Sequence, residues 1–144
     1  MFSGIVLGTG IIRNLAPDRG GVRLVIGAGR WANGLKVGGS VSVSGACLTA
    51  GRISKTGIEF RLVPETLRRT ILGELTIGSR VNLERSLKYG ASIDGHPVAG
   101  HVDGTGRVVS VRREGNGRRI AIRPPPGLLK YVARKGSIAV DGVS

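Results

Sequence analysis

Three side chains in this 144-residue chain have the types that add a nucleophile or move a proton: Cys47, His101 and Ser144. A thiolate at Cys47 is a competent nucleophile, although a lone cysteine at the end of a strand reads by itself as a small buried hydrophobe. His101, beside Gly100, exchanges protons near neutral pH; a histidine in that setting also serves as an ordinary turn or strand residue. Ser144 supplies a hydroxyl.

An internal repeat relates them. Gly4-Ile5-Val6-Leu7-Gly8-Thr9-Gly10 returns as Gly100-His101-Val102-Asp103-Gly104-Thr105-Gly106, an offset of 96. Gly39-Ser40-Val41-Ser42-Val43-Ser44-Gly45-Ala46-Cys47 returns as Gly136-Ser137-Ile138-Ala139-Val140-Asp141-Gly142-Val143-Ser144, an offset of 97. Such a period implies two copies of one small domain, residues 1–97 and residues 98–144, the second represented to about its middle. The alignment sets Cys47 against Ser144 and Ile5 against His101, so reactive side chains change where two similar pockets would diverge.

The elements that must position these residues read as strands. Short alternating or β-branched runs separated by glycine-rich turns predict an all-β fold, with 25 glycines in the chain. Expected strands are Ser3 to Ile12, Val22 to Ile26, Ser40 to Val43, Leu48 to Ser54, Ile58 to Val63 and Arg80 to Leu83. In the second copy they are Gly100 to Val111, Arg118 to Arg123 and Ser137 to Val140. Short helices are expected near Trp31 to Leu35, after Pro64, and from Pro126 to Val132. Ser86 to Val98 reads as a linker.

Composition narrows the classes. The 22 Lys and Arg against 9 Asp and Glu give a net charge of +13, which raises a basic nucleic-acid-binding β-barrel as one reading. The cations are scattered as short pairs such as Arg68-Arg69 and Arg112-Arg113, and five aromatics leave little for base stacking, so no nucleic-acid partner is expected. No apolar run is long enough to span a bilayer and no export signal opens the chain, so no membrane partner is expected. A single cysteine allows no internal disulfide and fits a reducing, cytoplasmic setting.

Several motifs, in order, resemble the riboflavin synthase alpha chain of the lumazine-binding family. They are Met1-Phe2-Ser3-Gly4-Ile5-Val6, Ser44-Gly45-Ala46-Cys47-Leu48-Thr49, Pro64-Glu65-Thr66-Leu67-Arg68-Arg69-Thr70, Val81-Asn82-Leu83-Glu84-Arg85, Gly95-His96-Pro97-Val98-Ala99-Gly100-His101-Val102-Asp103-Gly104, and Lys130-Tyr131-Val132 with Lys135-Gly136-Ser137-Ile138. The resemblance implies tandem six-stranded Greek-key β-barrels, the second incomplete within these residues. It also implies a homotrimer and one 6,7-dimethyl-8-ribityllumazine per barrel. The implied reaction is a dismutation of two lumazines to riboflavin and 5-amino-6-ribitylamino-uracil, with no cofactor and no metal.

By the same resemblance Cys47, His101 and Ser144 are catalytic. Gly4, Ile5, Val6, Leu48, Thr49, Gly100 and Val102 face the heterocycle or its side chain. Leu62, Val63, Pro64, Glu65 and Thr66 line the ribityl end, and Lys135 reaches a neighbouring subunit's ligand. His96 is expected to be structural, and Phe2 either packs over the rings or anchors the terminus. A related class of lumazine- or flavin-binding proteins keeps the fold without catalysis.

Overall fold

A computed structural model describes residues 1–144. Six antiparallel strands close a barrel in the order β1-β2-β5-β4-β3-β6. They are β1 (Gly8–Asp18), β2 (Gly21–Gly27), β3 (Ser40–Val43), β4 (Ala46–Ser54), β5 (Gly57–Leu62) and β6 (Arg80–Arg85). The hairpin-connected run β3-β4-β5 is followed by β6, which returns beside β3; that is the Greek-key pattern. The turn from β3 to β4 is two residues long, Ser44-Gly45, and both have positive φ (45° and 89°), which matches the twist of the paired strands.

Alternation decides which face is inside. Val41 and Val43 of β3, Leu24 and Ile26 of β2, and Ile58, Phe60 and Leu62 of β5 are each at most 1% exposed. Val81 and Leu83 of β6 join them in one cluster of 14 buried residues. Each such side chain contributes about 1.5–3 kcal/mol by leaving water. Between β5 and β6, Pro64 opens a six-residue helix, α1 (Pro64–Arg69), as its fixed φ favours at a first helical position.

Residues 107–123 form a separate two-stranded sheet, β7 (Arg107–Glu114) and β8 (Gly117–Arg123). Its register repeats that of β1 and β2 pair for pair. Ile12 faces Ile26 as Val108 faces Ile122; Leu15 faces Leu24 as Val111 faces Ile120; the bulge at Arg13 recurs at Val109. The side chains that are core in the first hairpin are exposed in the second, from 36% at Ile122 to 56% at Val108.

The expected first strands are displaced. β1 begins at Gly8 rather than Ser3, because Gly4 takes φ +78° and turns its carbonyl to Ser144, the chain rejoining β6 at Leu7, whose N–H donates to the Leu83 carbonyl at 3.0 Å. β7 likewise begins at Arg107, after Gly100 at φ +82°. Ser137 to Val140 is not a strand: the chain offers it no partner, and only an isolated bridge joins Val140 to Val143. The expected helices at Trp31 and Pro126 are 3-10 turns, Gly29–Ala32 and Pro126–Tyr131. No helix is long and apolar enough to cross a membrane.

Candidate functional site

The segments that leave the strands cross between the repeats. The backbone N–H of Cys47, on β4, donates to the carbonyl of Gly100 at 2.9 Å. The N–H of Ser144 donates to the carbonyl of Gly4 at 2.8 Å. Gly100 of the second copy therefore meets Cys47 of the first, and Gly4 of the first meets Ser144 of the second. The turns preceding those positions touch as well: Ser44-Gly45 lies against Asp141-Gly142, with matching left-handed φ values of 45° and 50° at Ser44 and Asp141. The result is two related clefts about a local two-fold.

The first cleft gathers Cys47, Leu48 and Thr49 of β4 with Gly100, His101 and Val102. Cys47 is half-buried and its thiol is free; Thr49 and His101 are exposed, and Val102 packs against the barrel core. Gly100 has no room for a side chain, since a Cβ would lie 2.7 Å from that of Cys47 and 3.1 Å from the Phe2 ring. Phe2 is wholly buried and exchanges two backbone hydrogen bonds with Val98, at 2.8 and 2.9 Å. It anchors the N-terminus beside the cleft.

At the end of β5, Leu62 turns into the core while Val63, Pro64 and Glu65 are exposed and Thr66 is half-buried. Glu65 is held by Arg69 at 2.8 Å and by Arg68. The hydrogen bond from Arg69, then that from Arg68, keeps its carboxyl below the usual carboxylate range. Arg69 also reaches the Asp103 carbonyl at 3.4 Å, linking α1 to the segment that carries His101.

The second cleft gathers Gly4, Ile5 and Val6 with Ser144. Its floor is a buried carboxylate that the sequence pattern left unassigned. Glu84 is 3% exposed and accepts from the Ser3 N–H and hydroxyl, each at 2.7 Å, and from the Gly4 N–H at 3.1 Å. This fixes the strand edge that meets Ser144. His96 is tied to the same segment by its N–H to the Ser3 carbonyl at 3.0 Å, and its Nδ1 lies 2.7 Å from the Ser144 hydroxyl. His96, expected to be structural, is thus in direct contact with the Ser144 hydroxyl.

Asn82, two positions before Glu84, joins the two turns. Its side chain donates to the Asp141 carbonyl at 3.0 Å, and its N–H donates to the Ser44 hydroxyl at 3.1 Å. Asp141 is exposed, but its turn packs against Ser44-Gly45, and this partial desolvation raises its pKa. Lys135 is exposed, takes φ +61°, and makes no hydrogen bond or ion pair with the other site residues.

The sequence pattern of the lumazine binding domain matches residues 3–86 and again residues 99–144. The chain belongs to the lumazine-binding domain family. Two family segments in tandem agree with the repeated hairpin register and with the paired clefts. Among relatives, the chain is 37% identical over 144 residues to the riboflavin synthase of Bacillus subtilis, covering all of this chain and 67% of that protein. It is 37% identical over 147 residues to the riboflavin synthase of Escherichia coli, again over all of this chain and 68% of that protein. The chain thus spans about two thirds of the length of these relatives. Among solved structures, LumP complexed with riboflavin matches with a TM-score of 0.89 at 27% identity, over 99% of this chain and 78% of that one. LumP complexed with 6,7-dimethyl-8-(1'-D-ribityl) lumazine matches with a TM-score of 0.84 at 28% identity, over 99% of this chain and 77% of that one.

Proposed function

We propose that this chain carries the N-terminal lumazine site of a riboflavin synthase and one wall of a second site, and that the complete polypeptide turns two 6,7-dimethyl-8-ribityllumazines into riboflavin and 5-amino-6-ribitylamino-uracil. The observation that carries the reading is the reciprocal crossing of Gly100 onto Cys47 and Gly4 onto Ser144. It brings His101 to the thiol cleft and leaves Ile5 at the hydroxyl cleft, so two similar clefts hold different chemistry.

A flat bicyclic dione presents carbonyl and N–H edges that backbone groups at Cys47-Leu48-Thr49 and Gly100-His101-Val102 pair with. Polar contacts for the ribityl chain come from Thr49 and Thr66, with Glu65 held by its two arginines. At the thiol cleft, Cys47 adds to ring carbon C7 as a thiolate, or orients a water that adds, making that lumazine the acceptor. At the hydroxyl cleft, the Ser144 hydroxyl relays a proton from the C7 methyl of the other lumazine to Nδ1 of His96, leaving a delocalised carbanion. Holding two rings in register supplies much of the acceleration.

The domains follow the repeat: residues 1–97 form the first lumazine-binding barrel and residues 98–144 belong to a second. The exposed Val108, Val111, Ile120 and Ile122 support that division, since their counterparts Ile12, Leu15, Leu24 and Ile26 line the first barrel. In the complete protein we assign a cytoplasmic homotrimer, with Lys135 reaching a neighbouring subunit's ligand.

A second reading is a binding protein without turnover, favoured by the likeness to LumP, whose structures hold riboflavin and the lumazine. One experiment separates the two. The purified chain and a version extended to the relatives' length are mixed with 6,7-dimethyl-8-ribityllumazine, following ligand fluorescence and riboflavin absorbance. The synthase reading expects quenching by both and sustained riboflavin formation by the extended form. Quenching by both without turnover supports the binding protein, and no ligand effect by either removes both readings.

A further inference from the structure

Away from the clefts, the outer face of β1, β2, β5 and β4 holds a hollow of about 720 Å³ ringed by Arg13, Arg23, Arg52 and Lys55. Two bulges build it. In β1 the register slips between Ile12 and Asn14, and in β4 it slips between Ala50 and Arg52. The pairs Asn14 with Val25, Val25 with Glu59, and Glu59 with Arg52 then run as one row across all four strands. Bulges of this kind re-aim side chains, and here they bring Arg13 and Arg52 toward one hollow from opposite sides.

Glycine lets one of these cations lie flat on the sheet. Arg13 lies across Gly27, where a Cβ would come within 2.8 Å of the guanidinium Nε. The barrel itself does not require this arrangement. In the repeated hairpin, with the same register and bulge, the counterpart of Gly27 is Arg123 and that of Arg13 is Val109. The first copy alone has cleared the position and set a cation over it.

The charge in the hollow is unbalanced. Glu59 is its one carboxylate and lies 3.5 Å from Arg23; Arg13, Arg52 and Lys55 have no acidic partner. Ser54 and Thr56 add hydroxyls, bonded to each other at 2.8 Å, and Val25 is the one apolar side chain in the lining. A mostly polar hollow with three guanidinium groups suits phosphate, whose oxygens accept paired N–H donors. It does not suit a flavin ring. Arg52 is also five residues along β4 from Cys47, about 17 Å at strand spacing.

We propose that this hollow is an anion site for a ligand bearing at least two phosphate groups, separate from the lumazine clefts. The phosphates come either from a free oligophosphate or from a nucleic-acid backbone, and the test tells these sources apart.

The full chain is titrated with tripolyphosphate by calorimetry at about 0.15 M salt, near physiological ionic strength. The comparison variants are Arg13→Gln with Arg52→Gln, and a charge-matched control, Arg112→Gln with Arg118→Gln. Saturable binding that weakens roughly tenfold or more in the first variant, the effect of removing two charge-assisted contacts, and stays unchanged in the control supports the site. Competition by a ten-nucleotide oligothymidylate assigns the nucleic-acid source, and its failure to compete assigns the free one. Equal weakening in both variants, no saturation, or equally tight binding of an oligoglutamate peptide overturns the proposal. Unchanged riboflavin quenching by the first variant checks that its fold is intact.

Discussion

The Cys47 N–H and the Gly100 carbonyl meet at 2.9 Å across the boundary between the two repeats. The bond makes the thiol cleft a joint product of both copies, since His101 reaches it only because Gly100 does. Its mirror, Ser144 to Gly4, does the same for the hydroxyl cleft. Neither cleft belongs to one barrel.

Replacing Gly100 by alanine tests this joint directly. The added Cβ would sit 2.7 Å from that of Cys47, on a backbone at φ +82° that an L side chain rarely adopts. Strain of about 1–3 kcal/mol is expected. Thermal unfolding should report that loss, and a riboflavin titration should show weakened binding, because the segment carrying His101 shifts away from the thiol.

Glu84→Gln probes the floor of the other cleft. The carboxylate accepts three hydrogen bonds from Ser3 and Gly4 while 3% exposed. An amide oxygen replaces at most part of that set, and its NH2 meets donors. A loss of about 1–3 kcal/mol is expected for leaving buried groups poorly paired. Denaturant unfolding measures it, and amide exchange at Gly4 and Ile5 should quicken.

Glu84 also marks where sequence reading stopped. Val81 and Leu83 alternate inward and the six barrel strands were legible, because alternation and turn glycines are local signals. Glu84 falls at an outward position, where a carboxylate ordinarily meets water. It is buried only because the N-terminal segment folds over it. The same tertiary event explains β1: Ser3 to Leu7 alternates like a strand, yet the segment turns at Gly4 toward Ser144 and rejoins β6 only at Leu7. The repeat paired Cys47 with Ser144 and Ile5 with His101, but which copy's segment serves which cleft is set by that crossing. The contact of His96 with Ser144 was hidden for the same reason, the two lying 48 residues apart in sequence.

Asp141 yields a pH prediction. Partial desolvation of this otherwise exposed carboxyl raises its folded-state pKa, so folding favours the protonated form. Its stabilising contribution is therefore full below the unfolded value of about 3.9 and is lost as pH rises through the higher folded value. Asn lacks this penalty and tolerates the left-handed backbone at φ 50°. Asp141→Asn should be more stable than the parent at pH 7, with the gain shrinking as pH falls toward 3. Thermal melts across that range check it.

The pairing of Ser144 with His96 is tested by coupling. Side chains that pass one proton act as a unit, so removing either should cost nearly what removing both costs. In the extended polypeptide, Ser144→Ala and His96→Asn should each slow turnover by about 10²-fold or more, and the double variant should be little slower. The pH profile separates this from a structural role. A relay that ends on imidazole gives the rate an acidic limb, because a ring already carrying both protons accepts nothing from the serine. That limb should vanish in His96→Asn while lumazine quenching persists. Multiplicative losses, or an acidic limb surviving without His96, would assign the 2.7 Å contact to positioning alone.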